Sequence, residues 1–263
     1  MIGIFDSGIG GLTVVKEIFQ QLPGYPVVYF GDTARTPYGS KSEEAIKRYA
    51  LEDANFLLRR GASIIVIACN TASAVAAEYL KKELKVPVFE VISPAVLAAE
   101  RLTVNNKIGV IGTRATIGSQ IYKKELRARD KKYEVYSQAA PLLVPLVEEN
   151  WLKRAETMMI LKKYLLPLKQ FDIDTLILGC THYPLLQDAI ARKMGRNVKL
   201  VDSAFETVKM IRLWLKENPE KDSLVRQKEG QEFFVSDITP NFQNIAEKLL
   251  GRKVRLTQRS VDK

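Results

Sequence analysis

Histidine is almost absent from this chain: His182 is the only one in 263 residues. Cysteine is nearly as scarce, with Cys69 and Cys180 alone. Two cysteines do not make the disulfide framework of a small secreted domain. Two thiols and one imidazole at no close spacing are also a poor ligand set for zinc. Long apolar runs are missing, since none approaches the roughly 20 residues of a membrane-spanning helix. The opening "MIGIFDSG" lacks the basic start and apolar stretch of a signal peptide, which predicts a cytoplasmic chain with free thiols. No phosphate loop of the GxxxxGK[ST] type occurs, and no zinc-finger, leucine-zipper or aromatic RNA-binding signature.

What is present is ordinary in bulk. Apolar residues make up 46% and charged residues 27%, as in globular proteins large enough to bury one or two cores. The net charge of +10 could serve a nucleic-acid partner or a small anionic substrate. Most basic residues, however, alternate with acids on helix-like stretches such as "KKELRARDKK" (Lys123 to Lys132), which reads as a solvated helix face.

Short apolar runs alternate with longer amphipathic segments, the pattern of a mostly parallel α/β fold. "IGIF", "VVYF", "IIVIA", "VPVFEVI", "KIGVIGT", "YEVYSQAA", "TLILG", "NVKLVD" and "EFFVSD" are the strand candidates. Ser40 with Glu43 three residues later predicts a capping box for a helix running to Gly61, and a last helix is predicted to end at Gly251. Two features repeat along the chain. "IGIFDSG" is echoed by "IGVIGTRAT", and "IIVIACNTAS" by "TLILGCTHYP", at similar offsets. Two related α/β halves are expected, each placing one thiol at the end of a buried strand.

Ligands of open α/β sheets bind beyond the carboxyl ends of the strands, against helix N-termini. Asp6, Asp32, Cys69, Thr113 and Cys180 all fall just past an apolar run and are candidates to line one cleft. Taken singly, each cysteine reads as a small core hydrophobe. As a pair they share polar neighbours, Asn70 and Thr71 in one case and Thr181 and His182 in the other. Each also stands where a helix is expected to begin, which predicts a thiol pKa lowered toward neutrality. His182 could be a capping residue or a proton partner of Cys180. Asp6 could be an Asx-turn residue leading into "DSGIGG". A nucleotide cradle there fails on spacing: Gly8, Gly10 and Gly11 give GxGG, and Thr13 stands where the third glycine belongs. Two thiols approaching one ligand from opposite sides suit two-base proton transfer at a carbon centre. A single nucleophilic thiol or a redox dithiol would not need two duplicated polar surrounds.

The stretches "GIFDSGIGGLTV", "YFGDTARTPYG", "ACNTASA", "GVIGTRAT", "PLVEE" and "LGCTHYPLL" run in this order from residue 3 to residue 186. Through them the chain resembles the glutamate racemases of the aspartate/glutamate racemase family, which make D-glutamate for bacterial peptidoglycan. The resemblance implies that Cys180 works on the L-enantiomer and Cys69 on the D-enantiomer. It implies that Asp6 and His182 assist the thiols, with Glu148, or its neighbour Glu149, supporting His182. Implied substrate contacts are Asp6, Ser7, Tyr38, Gly39, Asn70, Thr71, Thr181 and His182, joined by Thr113 and Thr116. No pyridoxal phosphate, metal or nucleotide is expected, nor a nucleic-acid or membrane partner; a homodimer is. The implied fold has two pseudo-symmetric α/β domains, 1–96 with 207–263 and 97–206, and a site in the cleft between them. The chain departs from the resemblance at Asn150 and Trp151, where a glycine is common. Rival readings are a sister racemase acting on aspartate and a non-catalytic binding module that uses the basic surface.

Overall fold

The computed structural model describes residues 1–261. The chain builds one sheet, leaves it for a second, and returns to the first. It begins with β1 (Ile2–Asp6), β2 (Val27–Gly31), β3 (Ile64–Ile67) and β4 (Val88–Glu90), each followed by a helix or a helical turn. Next come β5 (Lys107–Gly112), β6 (Glu134–Ala139), β7 (Thr175–Gly179) and β8 (Lys199–Asp202). The return supplies β9 (Gln231–Val235) and β10 (Leu256–Gln258). The six-stranded sheet has the order β10-β9-β2-β1-β3-β4 and the four-stranded sheet β6-β5-β7-β8. Every pairing is parallel.

The suspected repeat is visible in this topology. The order β6-β5-β7-β8 reproduces β2-β1-β3-β4, with β9 and β10 added at one edge of the first sheet. Thus β5 corresponds to β1, and β7, which delivers Cys180, corresponds to β3, which delivers Cys69. The second sheet lies within 107–202 and the first takes strands from both sides of it, as a two-lobed α/β architecture requires.

Central parallel strands are apolar throughout because helices cover both of their faces. Alternate residues enter opposite cores. Ile2, Ile4, Val27, Tyr29, Ile64 and Val66 pack on one side of the first sheet; Phe5, Val28, Phe30, Ile65 and Ile67 pack on the other. In the second sheet Leu176 and Leu178 face one core, while Ile108, Val110 and Ile177 face its opposite. Each such side chain contributes roughly 1.5–3 kcal/mol on burial, so the strand ends that carry the site stand on a rigid mount.

Two helices span the lobes. Helix Ile92–Leu102 follows β4 of the first sheet but packs into the core of the second. Helix Ser203–Glu217 follows β8 of the second sheet but buries Ala204, Val208, Ile211 and Leu215 in the core of the first. Arg101 and Glu206 join the two helices at 2.8 Å. Among the described residues no helix is long and apolar enough to cross a membrane.

Local signals mostly match the sequence, with one correction. The helix expected to start from a Ser40–Glu43 box is Glu43–Arg59, and Ser42 caps it by accepting from the Ala45 amide at 3.3 Å. Ser40 instead ends a 3-10 turn, Tyr38–Ser40, and its hydroxyl donates back to the Pro37 carbonyl at 3.2 Å. Gly251 ends the final helix, Pro240–Leu250, in the left-handed region at φ 66°. Asn150, where a glycine was expected, also adopts a positive φ of 56°. Asparagine is among the few residues that tolerate this conformation, so the departure keeps the turn.

Candidate active site

The carboxyl ends of β1, β3, β5 and β7 point at one another across the two lobes. A narrow cavity of about 30 Å³ lies between them. Ser7, Tyr38, Gly39, Cys69, Asn70, Thr71, Thr113, Cys180, Thr181 and His182 line it, together with Thr36, Pro37 and Val144. That volume holds a water or two. A larger space of about 300 Å³ adjoins it, sharing Pro37, Gly39, Thr113 and Val144 and adding Arg114 and Glu148.

The glycine-rich loop after β1 proves to be a packing device. A Cβ on Gly10 would come within 2.4 Å of Thr181 Oγ1 and 2.6 Å of His182, and one on Gly11 within 2.4 Å of Asp6 Cβ. Only glycine lets the turn of one lobe lie this close to the turn of the other. Asp6 sits beneath the cavity, fully buried. Its Oδ2 accepts from the Gly8 amide at 3.0 Å and its Oδ1 lies 3.5 Å from Thr181 Oγ1. Burial raises its pKa, against the lowering influence of His182 and the amides of Gly11 and Gly8.

The two thiols occupy equivalent strand ends but different local settings. Cys69 caps helix Asn70–Glu83, its sulfur accepting from the Ala72 amide at 3.5 Å, and its thiol lies 3.5 Å from Ser7 Oγ. Cys180 heads a 3-10 turn, Tyr183–Leu186, rather than an α-helix. Pro184 in that turn and a bond from the Tyr183 amide to the Cys180 carbonyl set the tighter winding. The expected lowering of both thiol pKa values therefore needs correction at Cys69. Burial pushes that thiol from 9.0 up to about 12, Asp6 adds to the rise, and the bonds from Ser7 and Ala72 only partly oppose it. In the closed site Cys69 holds its proton.

His182 Nδ1 lies 3.7 Å from Cys180 Sγ and 3.4 Å from Thr181 Oγ1; its Nε2 lies 3.2 Å from Glu148 Oε1. Burial works against a charged imidazole, but hydrogen bonds to Cys180 and Glu148 outweigh it and hold the His182 pKa well above its ordinary 6.5. Between the two adjacent acids, Glu148 is the one at His182, while Glu149 is exposed. Val144, one turn earlier on helix Leu143–Glu148, lines the cavity on the same face.

Thr71, Thr113 and Thr116 form a hydroxyl cluster, with oxygens 2.9, 3.0 and 3.3 Å apart, that ties the lobes together. Thr113 reaches the cavity and the buried Thr116 stands behind it. Asn70 donates from Nδ2 to the Tyr122 hydroxyl at 2.9 Å. Its Oδ1 is the one buried side-chain nitrogen or oxygen left without a partner among the described residues.

Two expected residues are placed differently. Asp32 does not reach the cleft: it is fully buried and bonds to Arg35 Nε at 2.6 Å and to Ser236 at 3.0 Å. Tyr38 belongs to the lining, yet its hydroxyl bonds to Asp32 and to Asp53, the latter at 2.9 Å. Sequence reasoning missed Thr36, Pro37, Val144 and Tyr122. The first two directly precede Tyr38 and were within reach. Tyr122, an aromatic on the buried side of a charged helix, looks like any core residue. Among the described residues no three His, Cys, Asp or Glu side chains gather as a metal-ligand set.

Comparisons with known proteins fit this geometry. Residues 2–211 match the family described as Asp/Glu/Hydantoin racemase. The chain is 45% identical over 253 residues to a glutamate racemase of Geobacter metallireducens, covering 96% of this chain and 93% of the relative. It is similar to the crystal structure of a glutamate racemase isoform from Bacillus anthracis at TM-score 0.92 and 39% identity, over 99% of this chain and 97% of the other. A glutamate racemase from Francisella tularensis, solved in complex with D-glutamate, superposes at TM-score 0.90 with 38% identity, again over 99% and 97%.

Proposed function

The chain belongs to the Asp/Glu/Hydantoin racemase family, and from that premise we propose that it interconverts L- and D-glutamate by two-base proton transfer between Cys180 and Cys69. One observation carries this reading: two thiols from equivalent strand ends line one narrow cavity, one held protonated by burial and the other set against an imidazole. The names of the similar proteins support glutamate as the substrate.

In the L-to-D direction Cys180 takes the α-proton as a thiolate and becomes a thiol. Cys69 delivers its own proton to the opposite face of the carbon and becomes a thiolate, so the substrate gains and loses one proton. The reverse direction exchanges the roles. His182, held by Glu148, and Asp6 carry protons to and from the two sulfurs and reset them between turnovers. The α-proton of an amino acid is a poor acid, so the carbanion must be met by fixed dipoles in a dry site. The hydroxyls of Ser7, Thr71 and Thr181 and the amides of the Tyr38–Gly39 turn serve the carboxylates. The free Oδ1 of Asn70 accepts from the ammonium. The cavity of about 30 Å³ is too small for glutamate, so the two lobes open to admit it and close for the chemistry. With this reading come, from the family resemblance, a cytoplasmic homodimer, no added cofactor, and a product used in peptidoglycan synthesis.

Incubation with L-glutamate in deuterated water tests the proposal. D-glutamate carrying deuterium at the α-carbon, formed without added cofactor, is the expected result. Turnover of aspartate with none of glutamate would overturn the substrate assignment. Retention of protium in the D-product would overturn the two-base route.

A further inference from the structure

Asn70 is the residue next to Cys69, and Gly179 is the residue next to Cys180; Tyr122 touches both. Tyr122 belongs to helix Ile121–Arg129 of the second lobe and is 2% exposed. Its hydroxyl accepts from Asn70 Nδ2 across the lobes at 2.9 Å. Its ring lies so close to β7 that a Cβ on Gly179 would stand 3.1 Å from Tyr122 Cε2. Burial keeps the phenol neutral, with its pKa raised far above the ordinary value.

An asparagine amide presents a donor at one end and an acceptor at the other, and a flip exchanges them. Asn70 is 2% exposed and lines the cavity. With Nδ2 on Tyr122, Oδ1 is buried without a donor from the protein, an arrangement that an arriving donor relieves. We infer that Tyr122 is a positioning residue for the racemase reaction: by holding Asn70 Nδ2 it fixes the amide with its acceptor toward the substrate ammonium. The inference rests on the reading of Asn70 as the ammonium acceptor. Because the bond joins the lobes, the amide is held in this sense only when they are closed, so the ammonium is gripped as the two thiols come into place. An unpinned amide would turn its NH₂ toward the ammonium in part of the population and repel it.

The Tyr122→Phe variant keeps the ring against Gly179 and removes only the hydroxyl. It is expected to raise KM for L- and D-glutamate alike by about tenfold, the value of one hydrogen bond at the upper end of its range. The value of kcat is expected to stay within about threefold, because the lost interaction acts on bound substrate and transition state equally. In an Asn70→Ala background the same change should have no further effect on KM, since nothing remains to be oriented. Unchanged KM in Tyr122→Phe, or an equal rise in the Asn70→Ala background, would overturn the inference. A normal KM in Asn70→Ala alone would instead remove the ammonium reading beneath it. Assays run well below the melting temperature of each variant separate both outcomes from a loss of fold.

Discussion

His182 Nδ1 faces Cys180 Sγ at 3.7 Å while its Nε2 meets Glu148 at 3.2 Å, so one imidazole joins a thiol to a carboxylate inside a buried site. Both contacts favour the doubly protonated ring more than burial disfavours it. Because the chain has no other histidine, its ring nitrogens give an unobscured NMR signal. The ring should remain charged at pH 7 in the free protein, with a titration midpoint above 6.5. Glu148→Gln removes one of the supporting bonds and should move that midpoint down. An imidazole neutral at pH 7, or unmoved by Glu148→Gln, would contradict this account.

Cys69→Ala and Cys180→Ala each remove one of the two proton carriers. Racemisation should fall by about 10²–10⁴-fold or more in each, the usual worth of a positioned acid or base. Both variants should stay folded, because alanine fits where a small thiol stood. The melting temperature of Cys69→Ala should fall modestly through loss of the cap on the Ala72 amide. The remaining base makes a sharper test. Cys69→Ala should still exchange the α-proton of L-glutamate for deuterium while failing to form D-glutamate, and Cys180→Ala should do the converse.

The proton on Cys69 has a pH signature. In Cys180→Ala the only thiol left is Cys69, so its rate of alkylation by iodoacetamide, followed at that residue by mass spectrometry, tracks its thiolate fraction without interference from the ten tyrosines. Burial places its midpoint near 12 rather than 9.0, so the alkylation rate should stay low up to about pH 9–10 and climb only beyond it. The linkage has a definite sign. Between pH 9 and 12 the unfolded chain gives up a proton that the folded protein keeps, so the contribution of Cys69 to stability is full below pH 9 and lost as pH rises through about 12. Asp6→Asn removes the second cause of the rise and should bring the midpoint down.

Gly10→Ala tests the packing role of the glycine loop. The added methyl would meet Thr181 Oγ1 at 2.4 Å and the His182 ring at 2.6 Å, and neither can retreat, since both are buried at the end of a central strand. Overpacking of this kind costs about 1–3 kcal/mol. The displacement falls on the residues that serve Cys180, so activity should drop more than stability. Chemical denaturation alongside kcat and KM would show it, and a variant with normal kcat would refute it.

Much of this site was legible in the sequence for a physical reason. Strands such as "LILG" and "IIVI" declare themselves by unbroken apolar character, and whatever follows such a strand stands at a cleft. Cys69, Cys180, Asp6 and Thr113 were found that way, and the paired order of strands confirms the echo between the halves. What could not be read depends on contacts between distant segments. The high pKa of Cys69 comes from burial beside Asp6, which local sequence does not record; the helix N-terminus suggested the opposite sign. Asp32 follows a strand as Asp6 does, yet Arg35, three residues on, draws it away from the cleft. The place of Tyr122 beside Asn70 exists only once the lobes meet.

Tyr38→Phe addresses that same diverted cluster. Asp32 and Asp53 are fully buried and share Arg35, which pairs with Asp32 at 2.6 Å and with Asp53 at 3.0 Å and also contacts Glu52. Burial and the neighbouring Asp32 raise the Asp53 pKa well above the carboxylate range, against the pull of Arg35. The Tyr38 hydroxyl lies within hydrogen-bonding distance of both acids and completes their solvation. Removing it leaves buried oxygens short of a partner, a loss of about 1–3 kcal/mol. For a chain of this size each kcal/mol lowers the melting temperature by roughly 2–4 °C. The ring and the backbone turn that line the cavity are untouched, so KM for glutamate should change by less than about twofold. A large KM effect with an unchanged melting temperature would mean that the hydroxyl serves the substrate rather than the loop that surrounds it.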